Sequence, residues 1–191
     1  MSRWKLKDFV LLGIIAVVFG IIYNVAVQIR GPIQATLGPF GFDPLYGIWF
    51  IAAIVAMYII RKPGAALLGE LLAALVEAMI GGGIGPRAII NGFVQGVGSE
   101  LVFAITRYRS FHLVTFIAAG MGAAITKFAY SYYMGGYSEY LTSAIIIIFT
   151  LRLASGAIVA GAGGVWVGHQ LYKTGALNGY KVATDKKEGR A

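Results

Sequence analysis

Residues 9–29 read FVLLGIIAVVFGIIYNVAVQI, 21 positions without a charge. A membrane span needs about 20 apolar residues, whereas the apolar core of a signal peptide has about 7–15. The run is therefore a membrane span, although Arg3, Lys5 and Lys7 precede it in the manner of a signal sequence. The rest of the chain has the same texture. Of its 191 residues 58% are hydrophobic and only 13% are charged, against about 25% charged in soluble domains. Mean hydropathy is +0.76. A chain this poor in charge cannot coat a water-soluble domain, so soluble enzymes are excluded at the outset.

Working outward, the breakers divide the chain. Gly31, Pro32, Gly38, Pro39, Gly41 and Pro44 predict a loop after a first span over Asp8–Gln28. A second span covers Leu45–Ile60 and stops at Arg61-Lys62-Pro63-Gly64. A third covers Ala65–Ile80, and residues 81–86 break it. The fourth is Arg87–Thr106, the fifth His112–Met134 and the sixth Leu141–Tyr172, with Gly135, Gly136 and Glu139 in the last turn. The predicted fold is an all-α membrane protein. It is a compact bundle of six transmembrane helices in one domain over residues 1–180, followed by a polar, mobile cytoplasmic tail over 181–191.

The net charge of +8 is a topology signal. With the N-terminus inside, the inner side holds Arg3, Lys5, Lys7, Arg61, Lys62, Arg107, Arg109, Lys173, Lys181, Lys186, Lys187 and Arg190. The outer side holds Arg30 and Arg87. Both termini are predicted to be cytoplasmic, in a multi-pass protein of the plasma membrane. No basic helix or basic-aromatic tract suits nucleic acid. Cysteine is absent, which removes disulfides, thiolate metal sites and cysteine nucleophiles.

Catalytic motifs do not survive inspection. Gly83-Ile84-Gly85-Pro86-Arg87-Ala88 fits G-x-G-x-x-A, but it joins two apolar helices instead of following a strand, and Pro86 lacks a donor. There is no Gly-Lys-Ser/Thr, so the chain has no ATP site of its own. His112 and His169 lie in no metal-ligand spacing. Ser99 and Ser155 have no histidine at their depth. Neither an enzyme nor a metal site is expected.

Ionisable residues inside spans carry the functional signal, because each needs a partner or a role. Counting depth along the helices places Glu70, Glu100 and Arg152 together as a structural charge cluster. Glu77 and Lys127 share the outer half, where they pair with each other or Glu77 faces a cavity. The outer half also collects Asn24 and Gln28, Tyr46 and Trp49, the stripe Arg87, Asn91 and Gln95, and Tyr130 and Tyr133. An interfacial aromatic belt accounts for some of the tyrosines. It does not account for the amides or Glu77, which suit a small, flat, heteroaromatic and preferably cationic ligand. Small residues recur at four-residue spacing, for example Gly156, Ala160, Gly164 and Gly168. Such stripes let helices approach closely. The long sixth-span stripe and the stripe of Ala16 and Gly20 are the candidates for docking a partner.

Several segments together carry a resemblance. They are Tyr46-Gly-Ile-Trp-Phe50, Tyr58-Ile-Ile-Arg-Lys-Pro-Gly-Ala-Ala66, Glu70 to Glu77, Gly85-Pro-Arg87, Gln95-Gly-x-Gly-x-Glu100, Thr106-Arg-Tyr108 and Ala119-Gly-Met-Gly-Ala-Ala124. Over about Leu6–Tyr180 the chain resembles the YkoE family. These are substrate-binding S components of energy-coupling factor (ECF) transporters for thiamine and its hydroxymethylpyrimidine (HMP) precursor. The resemblance implies six helices that take thiamine or HMP from outside as substrate. It also implies a separate transmembrane coupling protein, cytoplasmic ATPases that use the ATP, and toppling of the S component to release its cargo. The competing reading is a stand-alone secondary transporter or channel for a small organic cation, with Glu70, Glu100 and Arg152 as its ion path.

Overall fold

The computed structural model describes residues 3–81 and 85–187, the last two by backbone alone. Gly83 and Ile84 of the glycine turn, Arg190, and the side chains of Lys186 and Lys187 lie outside the described residues. The described elements are helical. Helix α1 spans Leu6–Leu37, and a 3-10 segment, Asp43–Phe50, runs straight into α2, Ile51–Ile60. Then follow α3 (Ala65–Ile80), α4 (Pro86–Ile105) and α5 (Leu113–Met134). Helix α6 (Thr142–Ser155) continues through a π-helical stretch, Gly156–Ala162, into α7 (Gly163–Lys173). A short α8 covers Lys181–Lys187.

The helices alternate in direction. Asp8, Lys62, Gly64, Glu100 and Gly179 meet at one end, called the basic end below. Helix α2 is the axis of the bundle. Ala52 through Ile60 are buried without exception, as expected of a helix that is apolar all round. Its 3-10 lead-in changes its reach and its face. Eight residues at about 2.0 Å and ten at about 1.5 Å give about 31 Å, near the thickness of a hydrocarbon core. Side chains three apart eclipse in a 3-10 helix, so Asp43, Tyr46 and Trp49 form a single row.

Two expectations are corrected here. The predicted loop at Gly31 is helix, and α1 continues through Pro32 to Leu37. Proline removes one donor to the preceding turn but does not stop the following residues from bonding. The Thr36 hydroxyl donates to the Pro32 carbonyl at 3.2 Å, and the helix ends at Gly38, whose φ is +83°. The tail is not a free polar strand. Residues 174–180 turn under the basic end, and α8 packs there with Val182 and Ala183 buried. Asp185 meets Arg61 at 2.9 Å. A buried apolar pair plus an ion pair is enough to dock a segment that composition describes only as polar.

Among the described residues, five helical stretches are long and apolar enough to cross a membrane: Leu6–Leu37, Asp43–Ile60, Pro86–Ile105, Leu113–Met134 and Thr142–Lys173. Helix α3 has 16 residues and is clasped between α1 and α4. The small-residue stripes do this clasping. A Cβ on Gly20 would stand 2.6 Å from Val76, and one on Gly92 would stand 2.3 Å from Ala74. Ala16 and Gly20 therefore face inward, against the expectation that they dock a partner, because the close α1–α3 crossing uses them. The sixth-span stripe is also internal. Gly164 meets Ile54, and Gly168 meets Tyr58.

The tightest crossing lies between α5 and the π-helical stretch. A Cβ on Gly120 would sit 2.0 Å from the Gly156 carbonyl oxygen, whereas one on Gly13 would touch nothing within 4 Å. Gly120→Ala is expected to destabilise the protein by about 1–3 kcal/mol through overpacking. Gly13→Ala is expected to be neutral or stabilising by up to about 1 kcal/mol, as in any open helical position. Melting temperatures of the two variants in detergent test the contrast, and equal shifts would contradict it.

Candidate functional site

The row Asp43, Tyr46 and Trp49 is held at its far end by an ion pair. Arg152 on α6 donates from Nε to Asp43 Oδ1 at 2.6 Å, and from Nη2 to the Tyr137 hydroxyl at 2.8 Å. Its guanidinium lies 3.9 Å from the centre of the Tyr46 ring, a cation–π contact. The backbone N–H of Gly47 donates to Ser155 Oγ at 2.8 Å. The 3-10 segment is thus tied to α6 by charge and by hydrogen bond, and its aromatic rings follow. Trp49 packs on Tyr46 with centroids 5.2 Å apart, and on Phe42 at 5.3 Å.

Next to these rings lies a small cavity of about 40 Å³, close to the space of one or two waters. Helix α1 supplies Tyr23 and Arg30 to its wall. The 3-10 segment supplies Tyr46 and Trp49, α3 supplies Glu70, Ala74 and Glu77, and α4 supplies Ala88, Asn91 and Gln95. Glu77 Oε1 accepts from the Trp49 indole N–H at 3.3 Å. Glu70 is fully buried, and its Oε2 accepts from the Tyr23 hydroxyl at 3.0 Å and from the Ala53 N–H at 3.2 Å. Its other oxygen, Oε1, is buried without a hydrogen-bond partner among the described residues. Leaving a buried acceptor unmatched costs about 1–3 kcal/mol; the other buried side-chain atom without a partner among the described residues is Arg152 Nη1.

The predicted residues divide accordingly. Tyr46, Trp49, Glu77, Asn91 and Gln95 converge on the cavity. Of the two readings of Glu77, the structure has it facing the cavity. Lys127 does not pair with it, but donates to Ser131 Oγ at 2.8 Å and lies 5.1 Å from the Tyr130 ring centre. Asn24 is buried and accepts from Gln28 Nε2 at 2.7 Å, and neither amide lines the cavity. Arg87 and Tyr133 are exposed and Tyr130 is half-buried, and none of the three lines the cavity.

The expected cluster of Glu70, Glu100 and Arg152 does not form. Arg152 pairs with Asp43, which the predicted second span left outside the membrane. Glu70 belongs to the cavity. Glu100 caps the start of α3 at the basic end, where Oε1 accepts from Gly64 N at 2.6 Å and Oε2 from Ala66 N at 3.0 Å and Leu67 N at 3.1 Å. A carboxylate on the free N–H groups of a helix start is favourable by charge and by hydrogen bond. Its partner is backbone, which depth counting never considers. Sequence reasoning also missed Tyr23, Arg30 and Asp43. Tyr23 was legible in principle, because it stands three residues after Gly20 on the stripe that faces inward. Among the described residues no group of three or more His, Asp or Glu is placed to hold a metal ion.

Three similarities to known proteins bear on this geometry. Residues 7–126 match the family described as "ABC-type cobalt transport system, permease component". A protein of Bacillus subtilis (strain 168) named HMP/thiamine permease YkoE is 40% identical over 190 residues, covering 100% of this chain and 96% of that protein. A crystal structure of an S-component of an ECF transporter superposes with a TM-score of 0.94 at 40% identity, covering 98% of this chain and 95% of that one.

The Asp43–Arg152 pair has an energetic signature. Asp43→Ala strands a buried guanidinium and is expected to cost about 3–5 kcal/mol. The double variant Asp43→Leu/Arg152→Met removes both charges and is expected to be more stable than that single variant. Denaturant unfolding in detergent measures both, and a double variant less stable than Asp43→Ala would contradict the assignment.

Proposed function

Because the chain belongs to the YkoE family of permease components, the S components of ECF transporters, we propose that its cavity captures thiamine or HMP. An S component is a binding subunit of a permease, not an enzyme. The observation that carries the ligand reading is the pairing of two buried carboxylates with an aromatic wall. Thiamine joins an aminopyrimidine to a cationic thiazolium. An amino group on the pyrimidine is the donor that Glu70 Oε1 lacks. The cation suits Glu77 and the faces of Trp49 and Tyr46. The B. subtilis relative's name points to the same two ligands. The word cobalt in the family description finds no support in the donor set, which offers two carboxylates among rings, amides and the cationic Arg30.

Pockets for small ligands usually measure about 300–1,000 Å³, far more than the cavity here. Binding therefore widens it. The 3.3 Å Trp49–Glu77 bond is the contact a ligand replaces, with the Trp49 side chain moving aside while Asp43 and Arg152 keep the backbone of the 3-10 segment in place.

The remaining parts of the reading concern the membrane. Six crossings include α3, with both termini cytoplasmic. The support is electrostatic: Lys5, Lys7, Arg61, Lys62, Arg107, Arg109 and Lys181 all lie toward the basic end, as the positive-inside bias requires. The cavity then opens outward in the plasma membrane. A transmembrane coupling protein and cytoplasmic ATPases supply the energy from ATP.

Calorimetry on the purified protein tests the ligand. Binding of thiamine or HMP is expected, and failure to bind either one or the thiamine phosphates would reject the reading. Glu77→Gln is expected to weaken thiamine by at least about tenfold, or about 1.4 kcal/mol, and to affect the uncharged HMP far less. Glu70→Gln is expected to weaken both. Uptake into vesicles driven by a proton gradient with no ATPase present would favour the stand-alone transporter instead.

A further inference from the structure

Away from the cavity, on the opposite half of the molecule, two hollows meet at Tyr180. The first is an apolar groove of about 370 Å³ between α1 and α7. Ile14 and Val18 of α1 and Leu171 of α7 form its sides, and Val55 and Ile59 of the buried α2 form its floor. The second is a chamber of about 340 Å³ at the basic end, reached past Tyr180 and lined by Lys5, Lys7, Lys62 and Lys181. Its two acids are already engaged, Asp8 by Lys62 and Asp185 by Arg61. Lys5, Lys7 and Lys181 are exposed and have no ion-pair partner among the described residues. Lys7 Nζ donates to the Gly179 carbonyl and lies 5.2 Å from the Tyr180 ring centre, so a lysine already stands at the junction of the two hollows.

We propose that the groove and the chamber together hold one anionic phospholipid, with an acyl chain along α1 and α7 and the phosphate headgroup among Lys5, Lys7 and Lys181. The two hollows supply what such a molecule needs in the order it needs it: an apolar trough, an amphipathic tyrosine at the interface, then uncompensated positive charge. A helix from another subunit fits the groove less well. Helices pack in lipid through small residues, and this rim is built of branched side chains. The small stripes of α1 and α7 are used inside the bundle. The lipid site is independent of the vitamin cavity, so either assignment can fail without the other.

Native mass spectrometry of the full-length protein in detergent tests this, with phosphatidylglycerol and phosphatidylcholine of identical chains in equal amounts. Phosphatidylglycerol is expected to be retained over phosphatidylcholine by at least about fivefold, the worth of one lysine near an anionic headgroup. In Lys5→Gln/Lys7→Gln/Lys181→Gln the preference is expected to vanish, and in Ile14→Trp both lipids are expected to be lost. Equal retention of the two lipids by the unmodified protein would overturn the proposal without any variant. Persistence of the preference in the triple-lysine variant would do the same. Displacement of phosphatidylglycerol by millimolar inorganic phosphate would make the chamber a free-phosphate site and overturn it. So would an Ile14→Trp protein that keeps its lipid but no longer assembles with the coupling protein, because the groove would then belong to a partner helix.

Discussion

The Asp43–Arg152 ion pair, buried on both sides, is the contact on which the geometry of the cavity depends. It anchors the first residue of a 3-10 segment whose side chains repeat every third position. Once Asp43 is placed, Tyr46 and Trp49 follow in the same row, the first under the guanidinium and the second against Glu77. An α-helical start would rotate each of these residues by a further 60° or so from its neighbour three positions away and would shorten the segment. The same eight residues thus set the reach of the axial helix and aim its rings.

Scarcity of charge shapes the rest. Several buried or half-buried ionisable groups have a specific counterpart. Asp8 has Lys62, Asp43 has Arg152, and Glu100 has the N–H groups that open α3. Two buried side chains keep one atom without a partner among the described residues: Arg152 at Nη1, and Glu70 at Oε1, whose other oxygen is satisfied by Tyr23 and Ala53. The open oxygen of Glu70 lies beside the aromatic wall, and this is the support for the proposed binding site. The basic end shows the converse arrangement, with matched acids and surplus lysines around a chamber that continues into an apolar groove.

Much of this was legible along the chain. The apolar runs and their breakers locate the helices after α1 to within a few residues, and Tyr46, Trp49, Glu77, Asn91 and Gln95 were recognisable because amides and a carboxylate on apolar helices need a reason. The failures share a cause. Counting residues gives depth along a helix but neither its rotation nor its neighbours. Glu70, Glu100 and Arg152 were grouped by depth and belong to three different places. Ala16 and Gly20 were read as an outer face, although the tyrosine three residues later is buried against Glu70. Pro32 was read as a stop, although one lost donor leaves a helix able to continue.

The sequence by itself determined the solvent, the helical class and the family, because these depend on composition, period and local motif. Tertiary structure alone decided which carboxylate is a cap, which is a counter-ion and which lines the cavity. Those roles depend on what stands opposite each oxygen, and the partners are 36, 109 and 47 residues away in the chain. Only packing brings them together.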